Sequence, residues 1–444
     1  MLAVRFSGGR SSCLRRRARI AGSALVALLG ARAVRAQQPV TLRIATDSAL
    51  SRGSRVALGR ADTLAAAALV TIARAWQNPS LSASYTQDDP RYHVSLDVPL
   101  DLPHIRRLRG QAARSTRAAT LAELELTRAV VRHDVQNAYA EALAASGRAG
   151  LSRETRSDAA RLLAMVRARR DEGDASEMDV ELADVERALS ESASDADSLT
   201  ALSAVLALQL LMGLPAEQLT IVLTDSLSSL VAMGDPPPSG ARRDDSLASR
   251  DSSRALAAAG VGATAGVREP LSVAAAAATL RAREREVDLA RRRRALVPSL
   301  LIGADMPALS GDSVRLLPVF GISVPVPLFN RFGGDIAFAR AQRDRAAIEL
   351  RTARLESAAD LARARATRDV AIDRVRRGQA AASTARRVVA KALTAYAEGE
   401  AALPFVLQAQ RSARQTLAQL LDALVGAASA QAAIRLLTSE RSTP

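Results

Sequence analysis

The sequence predicts a mainly helical protein with a small β part, and three observations carry that reading. The apolar share is 48% while the aromatic share is only 2%, so the bulk is Ala, Leu and Val beside Arg and Glu, the composition of long helices. Residues 106–171 and 335–396 hold apolar positions at spacings of three, four and seven, the period of a packed helix. Two short blocks break that pattern with strict alternation, the period of a strand with one apolar face.

Residues 1–36 are set apart from the fold. Basic positions from Arg5 to Arg19 are followed by an apolar stretch from Ile20 to Gly30, then by Val34, Arg35 and Ala36 before Gln37. That order of basic, apolar and small residues is a secretory signal peptide. The whole chain carries 61 basic and 46 acidic residues, a net +15. The segment 1–36 holds eight of the arginines and no acid, so the remainder carries only +7. A charge this dilute argues against a nucleic-acid partner. The sole cysteine, Cys13, lies in the same segment, so a mature chain has no intrachain disulfide. An exported, cysteine-free, Ala-rich helical protein points to a bacterial envelope.

The rest of the chain contains itself twice. The turn at Gly173, followed by Asp179, Val180 and Ala183, returns 226 positions later as Gly399, Phe405, Val406 and Ala409. Val94 to Leu100 returns as Ile322 to Leu328, 228 positions on, and Pro79 to Leu81 returns as Pro298 to Leu300, 219 positions on. The expected organisation is a first repeat at 37–212, a linker or equatorial segment at 213–269, marked by Pro236, Pro237 and Pro238 and holding one short helix, and a second repeat at 270–444.

Taken in order, a helix is expected at 41–76. Two strands follow, with Leu81, Ala83 and Tyr85 alternating in one and Val94, Leu96, Val98 and Leu100 in the other. Residues 106–171 form a rod of roughly 90 Å at 1.5 Å per residue, and a shorter helix at 175–212 returns from it. The second repeat gives a helix at 271–296, a strand from Leu300 to Met306, and a strand from Phe320 to Leu328. A second rod at 335–396 and a second shorter helix at 400–437 complete it. Pro99, Pro325 and Pro327 cannot donate ladder hydrogen bonds and so mark strand ends.

Six of the ten aromatics outside the signal segment fall in residues 76–92 or 320–332. Transmembrane barrels place aromatics at the two water–lipid boundaries, which gives Tyr85, Tyr92, Phe320, Phe329 and Phe332 that role; a plain strand preference for aromatics is the other reading. Four strands cannot close a barrel alone, so they must be shared between chains. His93, His104 and His133 have no second ligand at metal spacing. No nucleophile motif or phosphate loop occurs, so neither an enzyme nor a cofactor is expected. The run Arg291–Arg294 reads as a solvated helix face near acidic lipid head groups.

These residues resemble the outer-membrane efflux family, the TolC-type channels, over nearly all of the mature sequence. The resemblance is carried by Tyr396 three positions before Gly399 with Val406, Leu407, Ala409 and Gln410 after it, and by the sister turn from Gly173 to Ala183. It is carried also by Val324 to Phe329 leading into a rod, and by the run from Arg268 to Leu300. It implies a homotrimer in which four strands per chain make a twelve-stranded barrel through the outer membrane, in contact with its lipid. The antiparallel helical hairpins then make a periplasmic α-barrel. It implies a passive exit duct joined through a periplasmic adaptor to an inner-membrane pump; a type I secretion channel is the alternative within the family, and a coiled-coil envelope protein outside it. Gly173 and Gly399 then form the periplasmic tip where the adaptor docks. Asp179 and Tyr396 occupy positions that hold the tip closed, or else Asp179 is an exposed carboxylate at a helix N-terminus and Tyr396 a seam filler. Phe405 and Gln408 stand where the family often has acids, and Arg170 where it often has an aromatic. Three copies of Phe405 would make a hydrophobic narrowing.

Overall fold

A computed structural model describes residues 38–439 apart from 89, 217–218, 220, 233–268, 293–296, 307–315 and 327–328. The signal segment, Pro236–Pro238 and half of the run Arg291–Arg294 lie outside the described residues.

The element order begins with strand β1 (Gln38–Val40) and helices α1 (Leu42–Arg52) and α2 (Ser54–Arg74). Strands β2 (Ser80–Tyr85) and β3 (Tyr92–Pro99) lead into the long helix α3 (Pro103–Asp171), and α4 (Glu177–Leu211) returns along it. A short strand β4 (Ile221–Leu223) and helix α5 (Leu227–Ala232) follow. The second half repeats the scheme with α6 (Leu271–Arg292), β5 (Ser299–Met306), β6 (Leu317–Ser323), α7 (Gly333–Ala397) and α8 (Leu403–Thr438).

The rods α3 and α7, of 69 and 65 residues, are each about 100 Å long. They run the length of the helical part, and the shorter helices pack along them at two levels. On the sheet side the neighbours run α2, α3, α6, α7; on the far side they run α4, α3, α8, α7. Alanine is the commonest buried residue, with Ala140, Ala142 and Ala427 each 0% exposed, which lets helices approach closely but buries little area per residue. Tyr139, Leu208 and Met212 supply bulk where the two levels meet.

That meeting level carries a clasp that the sequence did not reveal. β1 pairs in parallel with β4, Gln38 opposite Ile221 and Val40 opposite Leu223. Asp225 Oδ2 accepts from the Leu42 backbone N–H at 2.8 Å, and the buried Tyr139 hydroxyl lies 2.9 Å from both that oxygen and the Val40 carbonyl. Leu227 and Leu230 of α5 are buried in the same core. Strands of three residues, far apart in sequence, give no periodic signal, so β4 stayed hidden in a segment expected as linker with one short helix, where α5 lies.

Two further boundaries differ from expectation. The helix expected at 41–76 is two helices, broken at Gly53, whose backbone leaves the helix at ψ 135°. A Cβ there would sit 2.2 Å from the Ala49 carbonyl oxygen, so the break requires glycine. The last strand, expected at Phe320–Leu328, is β6 at Leu317–Ser323: the alternating side chains continue, but Pro325 has no N–H to pair and the ladder stops before it.

Among the described residues two helical stretches, Leu42–Arg74 and Leu403–Thr438, are long and apolar enough to cross a membrane by composition. The first is broken at Gly53.

Candidate functional site: the helical tip and the four-stranded sheet

The turns at the far end of the rods are built alike. Gly173 stands at φ +86° and Gly399 at φ +81°, the left-handed conformation that glycine takes without strain. At the first turn the Gly173 N–H donates to the Arg170 carbonyl at 2.9 Å and Asp174 to Arg169 at 2.8 Å; at the second, Gly399 donates to Tyr396 at 3.2 Å and Glu400 to Ala395 at 2.8 Å. Both are Schellman closures, which satisfy the last carbonyls of a helix and reverse the chain.

The returning helices start differently. Ser176 caps α4: its hydroxyl accepts from the Asp179 N–H at 3.2 Å while Asp179 Oδ2 accepts from the Ser176 N–H at 3.2 Å, a reciprocal capping box. In the second repeat both partners are replaced together, Ser176 by Ala402 and Asp179 by Phe405. α8 starts without a side-chain cap, with Pro404 in its first turn. Within the chain, therefore, Asp179 is engaged in starting a helix. Phe405 is 58% exposed and lines an apolar groove of about 600 Å³ between α7 and α8 with Val388, Ala385, Gln408 and Ala409.

Tyr396 is buried, 4% exposed, in a core shared by four helices that includes Leu163, Val166, Val180, Leu403 and Val406. Its hydroxyl has no hydrogen-bond partner among the described residues. Burial raises its pKa above the ordinary tyrosine value; Arg169 pulls it down and Asp179 adds to the rise. Arg169 was not singled out from sequence, yet its guanidinium lies 4.9 Å from the Tyr396 ring centroid and donates to the Tyr396 carbonyl. Arg170, the counterpart of Tyr396 in the first repeat, faces solvent and pairs with Asp171 at 2.7 Å and Glu177 at 3.1 Å. Further along, the buried Glu186 of α4 accepts from Arg411 at 2.7 Å and from Arg414 at 2.5 Å, both on α8. No spacing within either helix announces that cross-repeat pairing.

At the opposite end the four strands form one antiparallel sheet in the order β2, β3, β5, β6. Its register sorts the side chains onto two faces. Leu81, Leu96, Ile302 and Phe320 make one row, flanked by Val98, Leu300 and Ile322 on one side and by Ala83, Val94, Ala304 and Pro318 on the other, with Tyr85, Tyr92 and Met306 beyond these. The opposite face is mixed: Ser82, Ser95, Gly303 and Val319 make one row, Ser80, Asp97, Leu301 and Gly321 lie on one side of it, and Ser84, His93, Asp305 and Leu317 lie on the other. The apolar face is uncovered within the chain: Leu81 is 72% exposed, Phe320 73% and Ile322 73%.

Of the boundary aromatics, Tyr85 and Tyr92 pair at the hairpin end, ring centroids 5.3 Å apart. Phe329, fully exposed, and Phe332 stand where β6 gives way to α7. Phe320 departs from the boundary expectation: it pairs with Ile302 in mid-sheet, because β6 begins three residues earlier than the alternation implied. At the helix end, Arg106 stacks 4.8 Å from the Trp76 ring centroid and ties the start of α3 to the end of α2.

Among the described residues no group of acids, histidines or cysteines is arranged to hold a metal ion. His104 is exposed, His133 bonds Asp134 and Asn137, and His93 bonds Asp305 across the sheet at 2.8 Å.

The sequence matches the family described as outer membrane efflux protein over residues 45–214 and 251–440. Among solved structures, the outer membrane protein VceC of Vibrio cholerae is similar at a TM-score of 0.66 and 17% identity, over 89% of this chain and 95% of that one. The CmeC outer membrane channel of Campylobacter jejuni gives 0.70 and 14%, over 91% and 87%. The MtrE outer membrane channel of Neisseria gonorrhoeae, in its open state, gives 0.62 and 14%, over 89% and 88%. Likeness at these identities concerns the fold. Among curated proteins none matches the sequence significantly.

Proposed function

The chain belongs to the outer membrane efflux protein family, and from that membership we propose that three copies assemble into a passive duct. Its barrel crosses the outer membrane and its helical tube stands in the periplasm. The observation that carries this reading is the sheet. Among the described residues it has one continuous apolar face left bare and two unpaired edges, β2 and β6. In lipid every backbone polar group must be paired, so such a sheet is stable only when closed. β2 runs away from the helices and β6 runs back toward them, so β6 of one copy meets β2 of the next as an antiparallel pair. Three copies of four strands close a twelve-stranded barrel.

The helices support the same assembly. The row α4, α3, α8, α7 ends in α4 on one side and α7 on the other. Along α4, Met178, Leu182, Val185 and Leu189 recur at spacings of four and three and are 69%, 40%, 56% and 57% exposed. This is a coiled-coil seam with no partner in its own chain, and α7 of the neighbouring copy supplies one.

In this reading the tip turns at Gly173 and Gly399 are where a periplasmic adaptor docks, and an inner-membrane pump supplies the driving energy. Residues 1–36 direct export, and the two repeats are the two halves of each protomer's wall. Tyr396, with its orphan hydroxyl, and Asp179 belong to the constriction. The test is reconstitution of the chain from outer membranes into planar bilayers. Discrete channels from a species that runs as a trimer support the duct, and a monomer that leaves the bilayer sealed contradicts it.

A further inference from the structure

α6 presents Ala275, Ala278 and Ala282 to α3 and Val273 and Ala277 to α7, which leaves two faces open. One carries Ser272, Ala276, Thr279 and Arg283; the other carries Arg281, Arg285 and Asp288. With Arg291 of α6, Arg343 of α7 and Ser115 of α3, the second face lines a cleft of about 570 Å³, in which four arginines stand against two acids, Glu284 and Asp288. Arg285 reaches Asp288 only at 4.0 Å. Arg343 pairs with its chain neighbour Asp344 at 2.8 Å, and its Nε has no hydrogen-bond partner among the described residues.

The hand of the backbone decides which side of the wall this cleft is on. The Thr86 N–H donates to the Arg91 carbonyl, so Ser82 and Ser84 also turn their backbone groups toward β3. For L-residues on a strand running away from the helices, that fixes which face their side chains take, with Leu81 and Tyr85 on the other. A right-handed α6 running toward the sheet then carries Arg281 and Arg285 on the side of Leu81, and Ser272 and Arg283 on the side of Ser82. The cleft thus opens beneath the apolar face. Arg291 stands one residue from the end of α6 and Arg281 about 15 Å below it. Arg343, on a helix running away from the sheet, leans back toward it, because side chains tilt toward their helix N-terminus.

We infer that this cleft is a lipid-headgroup site, in which each protomer holds the phosphodiester of one anionic glycerophospholipid from the leaflet around the barrel. This rests on the trimeric barrel proposed above, in which the apolar sheet face meets lipid and the cleft lies on the outer wall just below it. The guanidinium fork matches two phosphate oxygens at once, the Ser115 hydroxyl is a further donor, and the phosphate gives Arg343 the acceptor that it lacks. The acyl chains continue along Val98, Leu300 and Ile322, the row of the apolar face nearest the helices. The cleft is built from α3, α6 and α7 of one chain, so the seam with the next copy leaves it open.

The experiment is native mass spectrometry of the mature trimer, released from neutral detergent after exposure to phosphatidylglycerol and phosphatidylcholine with matched chains. Phosphatidylglycerol should be retained at one per protomer, with a preference of roughly tenfold or more. Arg281→Gln with Arg343→Gln should cut that preference roughly tenfold. Arg281→Lys with Arg343→Lys should fall between, because the charge remains and the fork is lost. Arg153→Gln with Arg167→Gln, exposed on α3 far from the sheet, should leave it unchanged. The trimer mass in the same spectrum reports assembly, and the lysine pair decides if the glutamine pair does not assemble. Inorganic phosphate in large excess should not displace the lipid, since it lacks acyl chains. Displacement by it, no preference for phosphatidylglycerol, or equal losses in the two glutamine pairs would overturn the inference while leaving the duct intact. A chain that never runs as a trimer would contradict the duct itself.

Discussion

Arg169 of the first repeat lies over the ring of Tyr396 in the second, 4.9 Å from its centroid, and donates to the same carbonyl that closes the Gly399 turn. One side chain thus joins the two hairpins at the tip. The duplication explains why it is needed: the position equivalent to Tyr396 is Arg170, which pairs locally with Asp171 and Glu177 and reaches nothing in the other repeat.

Arg169→Ala should loosen the tip by about 1–2 kcal/mol and raise single-channel conductance. Arg169→Lys keeps the charge but not the planar stack and should fall between. Arg170→Ala should leave conductance at the wild-type value. Equal effects of the two alanine variants would show that general tip charge, not this contact, holds the hairpins.

Glu186 and its two arginines make an asymmetric prediction. The carboxylate is 4% exposed, whereas the Arg411 side chain is 53% exposed and Arg414 28%. Removing both arginines (Arg411→Met with Arg414→Met) strands a buried charge and should cost about 3 kcal/mol. Glu186→Gln leaves arginines that can turn to water and should cost less. Hydrogen exchange across 180–190 and 403–415 reads the difference, and the reverse order would contradict the burial argument.

Burial, and then the hydrogen bond and charge of Asp225, push the Tyr139 phenol above its ordinary value. A raised acid of this kind binds its proton more tightly folded than unfolded, so stability is fully present below about pH 10 and falls as pH rises beyond it. Melts of the wild type should be flat from pH 7 to 9 and drop above 10. Tyr139→Phe should lower the midpoint at neutral pH through the lost hydroxyl, worth about 1 kcal/mol, and should weaken the alkaline slope. An undiminished slope in that variant would place its origin elsewhere.

Phe405 is expected to narrow the tip as a ring of three. Its 58% exposure in the single chain leaves the side chain free to face the axis or a docked partner. Phe405→Ala should raise conductance and drug sensitivity; unchanged values of both would remove the narrowing from the account.

How much of this was legible follows from the range of each contact. Period-two side chains announced the four strands, because a face exposed to one environment along its length imposes alternation on the residues. The glycines at 173 and 399 announced the turns because a left-handed residue is a local requirement. The clasp of β1, β4, Asp225 and Tyr139 was silent: its strands are three residues long and its hydrogen bonds span 86–183 positions. Arg169 and Glu186 were silent for the same reason, since their partners lie more than 220 positions away. Asp179 was ambiguous in sequence. The structure gives it a local task that Ser176 three residues earlier could have signalled.

The most direct test of the account is electron microscopy of the mature chain extracted from outer membranes in mild detergent. The account predicts a three-fold tube about 100 Å long in its helical part, capped at one end by a barrel whose β6 and β2 edges pair between copies. A monomer, or a solid helical rod without a lumen, would contradict it.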